Sequence, residues 1–111
     1  MLKINRLQCG DYLLIGNTKE IYNIAVNDIV YIRSIDGNYV DLRTTKKNLM
    51  PTGKMKEIKP LFTEFIEVSA GIIVNPSKIT KIDTLSSAVF FGDIEFKLNK
   101  PMLQRIIDSL S

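Results

Sequence analysis

The sequence predicts a mainly β, antiparallel fold with a short mid-chain helix and a C-terminal helix, and three observations carry that expectation. Short runs of β-branched and aromatic residues recur along the chain, with turn residues between them every eight to twelve positions. Two of these runs flank Asp36-Gly37, a dipeptide that favours a tight hairpin because glycine takes positive φ without strain. Only the last segment changes period. There Met102, Leu103, Ile106, Ile107 and Leu110 fall on one stripe of a helix.

In chain order, Tyr12–Ile15 ends at the turn dipeptide Gly16-Asn17 and Glu20–Ala25 follows, so the pair reads as a hairpin. Asn27-Asp28 starts a short turn. Ile29–Ile35 and Tyr39–Arg43 form the hairpin around Asp36-Gly37-Asn38. Period-two alternation puts Val30, Ile32 and Ser34 on one face and Tyr31, Arg33 and Ile35 on the other. Thr44–Leu49 reads as another extended piece, stopped by Pro51-Thr52-Gly53. From Lys54 to Leu61 the apolar residues Met55, Ile58 and Leu61 recur every third position, which predicts one or two helical turns. Phe65–Val68 and Gly71–Val74 are apolar runs separated by Ser69-Ala70-Gly71, and Asn75 before Pro76 is a cap. Ile79–Asp83, Ala88–Phe91 and Ile94–Leu98 are three more strands, turned at Ser86-Ser87 and Gly92-Asp93. Asn99 is positioned to cap the terminal helix, and Pro101 sits in its first turn, where proline is tolerated. There is no internal repeat, linker or low-complexity tract, so residues 1–111 are expected to form one domain.

Composition narrows the chemistry. The 111 residues are 45% hydrophobic and 24% charged, enough apolar content for one core. The absence of histidine removes Ser-His-Asp and Cys-His triads and every histidine-ligated zinc site. Cys9 is the lone cysteine, so no internal disulfide or CxxC pair can form, and a spectator thiol is the expected role. Glycines are scattered singly, so neither GxGxxG nor GxxxxGK[ST] occurs. Glu64 and Glu67 would point to opposite faces of a strand, while Asp36, Asp83 and Asp93 lie at turns, where aspartate is favoured for backbone reasons. No enzyme signature, metal site or cofactor motif emerges. No apolar run approaches the length of a membrane span, and the N-terminus has no signal-peptide pattern, so a cytoplasmic protein is expected.

Fifteen Lys and Arg against twelve Asp and Glu give a net charge of +3. The excess is concentrated. Lys46, Lys47, Lys54, Lys56 and Lys59 are opposed between them only by Glu57. Such a segment on a nearly neutral domain suits a polyanion, or is simply a solvated loop. The strand aromatics Tyr12, Tyr22, Tyr31, Phe90 and Phe91 are expected to pack in or beside the core, and the ribonucleoprotein aromatic motif is absent.

The stretch NDIVYIRSIDGNYVDLRT resembles the opening of a LytTR-type DNA-binding domain, and FIEVSAGIIVNPSKITKID resembles that family's central signature. The signature runs Phe-x-Arg-Val/Cys-His-Arg/Lys-Ser-Tyr/Phe-Ile-Val-Asn and continues to two spaced isoleucines. Phe65, Val68, Ile73, Val74, Asn75, Ile79 and Ile82 match it. GDIEFKLNKPMLQRIIDSL is similar to the family's last hairpin and terminal helix, so the likeness covers about residues 20–110. It implies an elongated fold of about ten short strands, bacterial transcription control, and loops that enter successive major grooves of double-stranded DNA. It also implies homodimers on direct repeats.

Carried onto this chain, the resemblance marks Asn38 and Tyr39 at the first DNA-facing loop, Ser69 in the central loop, and Asn99 and Lys100 before the terminal helix. Lys46 and Lys47 add candidate phosphate contacts without a motif match. The chain departs from the family at Glu67, Ser69 and Ala70, where a basic-His-basic cluster is usual, and at Gly71, where serine is usual. Asn99, Lys100 and Pro101 stand where Ser-Arg-Arg is common. The departures define a competing expectation, a LytTR-like domain that has lost DNA binding and serves as a protein-interaction or dimerisation module.

Overall fold

Alternating apolar residues build the first layer. The structure, a computed structural model, describes residues 3–6, 12–16 and 19–110. In β2 (Tyr12–Gly16) Leu13 and Ile15 are buried while Tyr12 is exposed, the signature of a strand with one wet face. It pairs antiparallel with β1 (Lys3–Arg6) on one side and β3 (Ile21–Ala25) on the other. The first hairpin is therefore as expected, although Asn17 of its turn lies outside the described residues, as does Cys9. β1 was not anticipated, because KINR offers a single apolar residue and no alternation to read.

The central sheet runs in the order β6-β5-β4-β8-β7 and is antiparallel throughout. Its strands are β4 (Ile29–Ile35), β5 (Tyr39–Thr44), β6 (Asn48–Leu49), β7 (Ile66–Ser69) and β8 (Ile72–Val74). The β4–β5 hairpin turns through Asp36 (φ 54°) and Gly37 (φ 74°), with Asn38 N–H donating to the Ile35 carbonyl. Positive φ at both central positions is the type I′ pattern, whose twist matches the flanking strands. The third sheet, β11-β10-β9, comprises β9 (Lys81–Asp83), β10 (Ala88–Phe91) and β11 (Ile94–Lys97).

Two helices complete the fold. α1 (Met55–Ile58) continues into a 3₁₀ turn at Lys59–Leu61, as the three-residue spacing predicted. α2 (Lys100–Leu110) buries Leu103 and Ile106. It begins where Asn99 Oδ1 accepts from the Met102 N–H at 2.9 Å, so the predicted cap forms.

Apolar layers cover part of each face of the central sheet, leaving Arg33 exposed towards the end of β4. One apolar cluster joins Leu13, Ile15 and Ile24 of the first sheet to Ile32, Val40, Leu42 and Ile73, with Ile58, Phe62 and Phe65 alongside. A second joins Val30, Tyr31, Val68 and Val74 to Val89 and Phe91 of the third sheet and to Leu103 and Ile106 of α2. The result is elongated, 47 × 28 × 24 Å. Eleven strands lie among the described residues, close to the ten that the family resemblance implied.

Three local expectations need correction. Val30 does not share a face with Ile32: the β4–β5 register shifts between Ile29 and Tyr31, and this bulge sends Val30 to the Tyr31 side. Thr44–Leu49 is not continuously extended. The Thr44 hydroxyl accepts from the N–H groups of Lys46 and Lys47, folding 45–47 into a bend and leaving only Asn48–Leu49 as strand. Glu64 sits in a turn before β7 rather than on a strand with Glu67.

Candidate nucleic-acid interface

Hydrogen bonds between neighbouring segments decide which candidate residues meet. Ser34 N–H donates to the Gly71 carbonyl at 2.7 Å, which brings the β7–β8 turn beside the end of β4. Asn38 and Tyr39 leave that same end of β4, and the Gly53 N–H donates to the Asn38 carbonyl at 2.9 Å. Asn38, Tyr39 and Ser69 are all exposed and therefore share one end of the central sheet. Gly71 explains part of the departure from the family pattern. Its φ is 83°, and a Cβ there would stand 3.2 Å from that of Ser34, so this turn favours glycine on both counts.

Lys46 and Lys47 lie at the opposite end, where the Thr45 N–H donates to the Asp28 carbonyl. Lys47 is engaged, its Nζ 4.9 Å from the centroid of the Tyr22 ring, an exposed cation–π contact. The two lysines thus do not join Asn38 and Ser69.

Asn99 and Lys100 belong to the third sheet and its helix. Leu98 N–H donates to the Ser87 carbonyl, fixing the approach to α2 beside the β9–β10 turn. In that turn Asp83 accepts from the N–H groups of Leu85 and Ser86, and the contact with Ser86 leads the causes that hold its carboxyl below the usual aspartate range. Capping uses one lone pair of Asn99 Oδ1, which leaves a second lone pair and the Nδ2 donors for a base edge. Asn75, the signature asparagine, is structural: it is 5% exposed, donates to the Ile29 carbonyl and accepts from Ser77.

Glu67, one of the departures from the family pattern, is not a bare charge. Its Oε1 is 2.7 Å from Lys59 Nζ, a half-exposed ion pair between the helical segment and β7. Behind it runs a groove of about 780 Å³, lined by Met55, Phe62, Phe65, Ala70 and Ile73.

The sequence reading missed a polar network on the second face of β4–β5–β6. Asp41, 6% exposed, takes the Tyr31 hydroxyl at 3.2 Å and Arg33 Nη2 at 3.1 Å on one oxygen and Asn48 Nδ2 at 3.1 Å on the other. Asn48 in turn accepts from Arg43 Nη1 at 2.6 Å. Burial first, then the Asp41 carboxylate, pushes the Tyr31 phenol above its usual range, so it stays a donor at neutral pH. The signal was present in the chain, because a hairpin pairing Ile35 with Tyr39 must pair Arg33 with Asp41. Among the described residues no group of three or more His, Cys, Asp or Glu side chains could hold a metal ion, and no helix is long and apolar enough to cross a membrane.

An elongated three-sheet β scaffold with polar residues at its loop tips is an architecture in which rigid strands can hold binding groups on loops. The particular kind is settled by family: residues 19–106 match the LytTr DNA-binding domain, and the chain belongs to the LytTR family. A solved structure described as the LytTr DNA-binding domain of a methyl-accepting/DNA response regulator from Bacillus cereus has the same fold, with a TM-score of 0.67 and 17% identity. The match covers 92% of this chain and 98% of that one. No curated protein matches the chain in sequence.

Proposed function

We propose that the chain is the DNA-reading domain of a bacterial transcriptional regulator, acting without catalysis and reading double-stranded DNA through its loops. Family membership supports DNA binding in general. The observation that carries the finer reading is the meeting of the β4–β5 and β7–β8 turns at one sheet end, secured by the Ser34–Gly71 hydrogen bond. It presents Asn38, Tyr39 and Ser69 as one projecting tip, while Asn99 and Lys100 form a second at the start of α2. The 47 Å length of the domain exceeds one turn of B-DNA, about 34 Å, and so supports loops addressing successive major grooves from one side of the duplex. Asn99 is suited to an adenine edge and Lys100 to a phosphate. Lys46 and Lys47, being remote from the first tip, serve as additional backbone contacts or none. A direct-repeat operator would be occupied by two copies of the chain.

Asn99→Ala should flatten preference at one or two base pairs while leaving non-specific binding in place, and Lys100→Ala should weaken binding to all sequences alike. Equilibrium binding to a panel of single-base operator variants separates the two. Equal loss on every duplex from Asn99→Ala would remove its base-reading role. The second reading, a protein-interaction module, draws its support from the apolar groove beside Ala70 and Gly71.

A further inference from the structure

We propose that Asp41 is a positioning residue that fixes Arg33 and Arg43 as a pair of DNA-phosphate-gripping guanidiniums on the second face of the central sheet. This rests on the DNA-binding reading above. Cross-strand register brings the group together: Arg33 pairs with Asp41, Tyr31 with Arg43, and Arg43 with Asn48. One buried carboxylate holds Arg33 directly and Arg43 through the Asn48 amide. Asp41 neutralises only one of the two cations, so the face keeps a net positive charge around a carboxylate that is 6% exposed.

Each guanidinium commits a single terminal nitrogen to the network. Arginine has five N–H donors in a fixed fork, so the rest can grip a phosphate bidentately, and an anchored fork loses less entropy on doing so. The Arg33 side chain is 47% exposed, accessible to such a partner. Its place in the fold is also suitable. Arg33 stands three residues before Asp36, which opens the turn that carries Asn38 and leads into Tyr39. Two residues back, the Tyr31 ring meets Phe96 edge-on at 5.4 Å, and Asn99 follows Phe96 by three residues. At roughly 3.3 Å per extended residue, Arg33 lies about 10 Å from the turn that carries Asn38, so a duplex engaged at that turn can bring a phosphate to it.

The test is equilibrium binding of the full chain to its selected duplex over a salt series, with Arg33→Ala, Arg33→Lys, Arg43→Ala and Asp41→Asn, each checked for folding by thermal melting. Arg33→Ala and Arg43→Ala should each weaken binding several-fold on all sequences and lower the slope of log K against log salt by about 1. Arg33→Lys should keep the slope and lose part of the affinity, because an ammonium cannot replace the fork. Asp41→Asn should weaken binding although it makes the face more positive, an outcome that bulk electrostatics alone would reverse. Wild-type affinity and slope in both alanine variants, or tighter binding by folded Asp41→Asn, would overturn the assignment and leave the DNA reading intact. Failure of the wild-type chain to bind any duplex would remove both.

Discussion

Asn75→Ala should lower the free energy of unfolding by about 2–4 kcal/mol, since each buried polar group left without a partner costs about 1–3 kcal/mol. The Asn75 amide donates to the Ile29 carbonyl at 2.9 Å, and its oxygen accepts from Ser77 N–H at 3.1 Å and Ser77 Oγ at 2.8 Å. These bonds tie the exit of β8 to the start of β4, which lies 46 residues away in the chain. Alanine removes all three. Asn75→Asp keeps the acceptor for Ser77 but sets a buried carboxylate oxygen against the Ile29 carbonyl, so at neutral pH it should lose at least as much stability as alanine. Urea denaturation of the three proteins measures the series. A loss below about 0.5 kcal/mol for alanine, the scale of an ordinary surface change, would contradict the structural role given to Asn75.

Phe62→Ala should cost about 3–5 kcal/mol, the range for truncating a fully buried phenylalanine. Phe62 is 2% exposed and closes the 3₁₀ turn after α1, with its N–H donating to the Lys59 carbonyl. Its ring lies 5.2 Å from that of Phe65, and both belong to the cluster that packs the helical segment onto the central sheet. Truncation leaves a void under a segment built of a 3₁₀ turn and a short helix, elements with little stability of their own. A fall in melting temperature of many degrees is expected by calorimetry. A melting temperature within a degree of wild type would show that the segment is not packed as described.

Local signals in the sequence located most of the elements, and what they missed has identifiable physical causes. Asp36-Gly37 specified its hairpin because positive φ at two successive positions admits few residue types. The apolar stripe with Asn99 before it specified α2 to the residue. β4 is different: its alternation put Val30 with Ile32, whereas a bulge moves Val30 to the Tyr31 side, a matter of partner register rather than of the strand's own residues. β1 takes its place from pairing with β2, which four residues with one apolar side chain do not announce. At the candidate interface, the chain identified loop residues one at a time. Only the fold shows that Asn38, Tyr39 and Ser69 meet, that Lys46 and Lys47 stand at the other end, and that Glu67 is paired with Lys59. The Arg33–Asp41 pair was legible in principle, through the hairpin register, but its link to Arg43 needed β6.

Selection from a randomised duplex pool at two salt concentrations, with sequencing of the retained fraction, is the most direct measurement of DNA reading by this chain. A pair of enriched direct repeats, with retention falling steeply as salt rises, is the expected result. No enrichment, together with no retention even at low salt, would contradict DNA reading and point to the apolar groove beside Ala70 as the surface that matters.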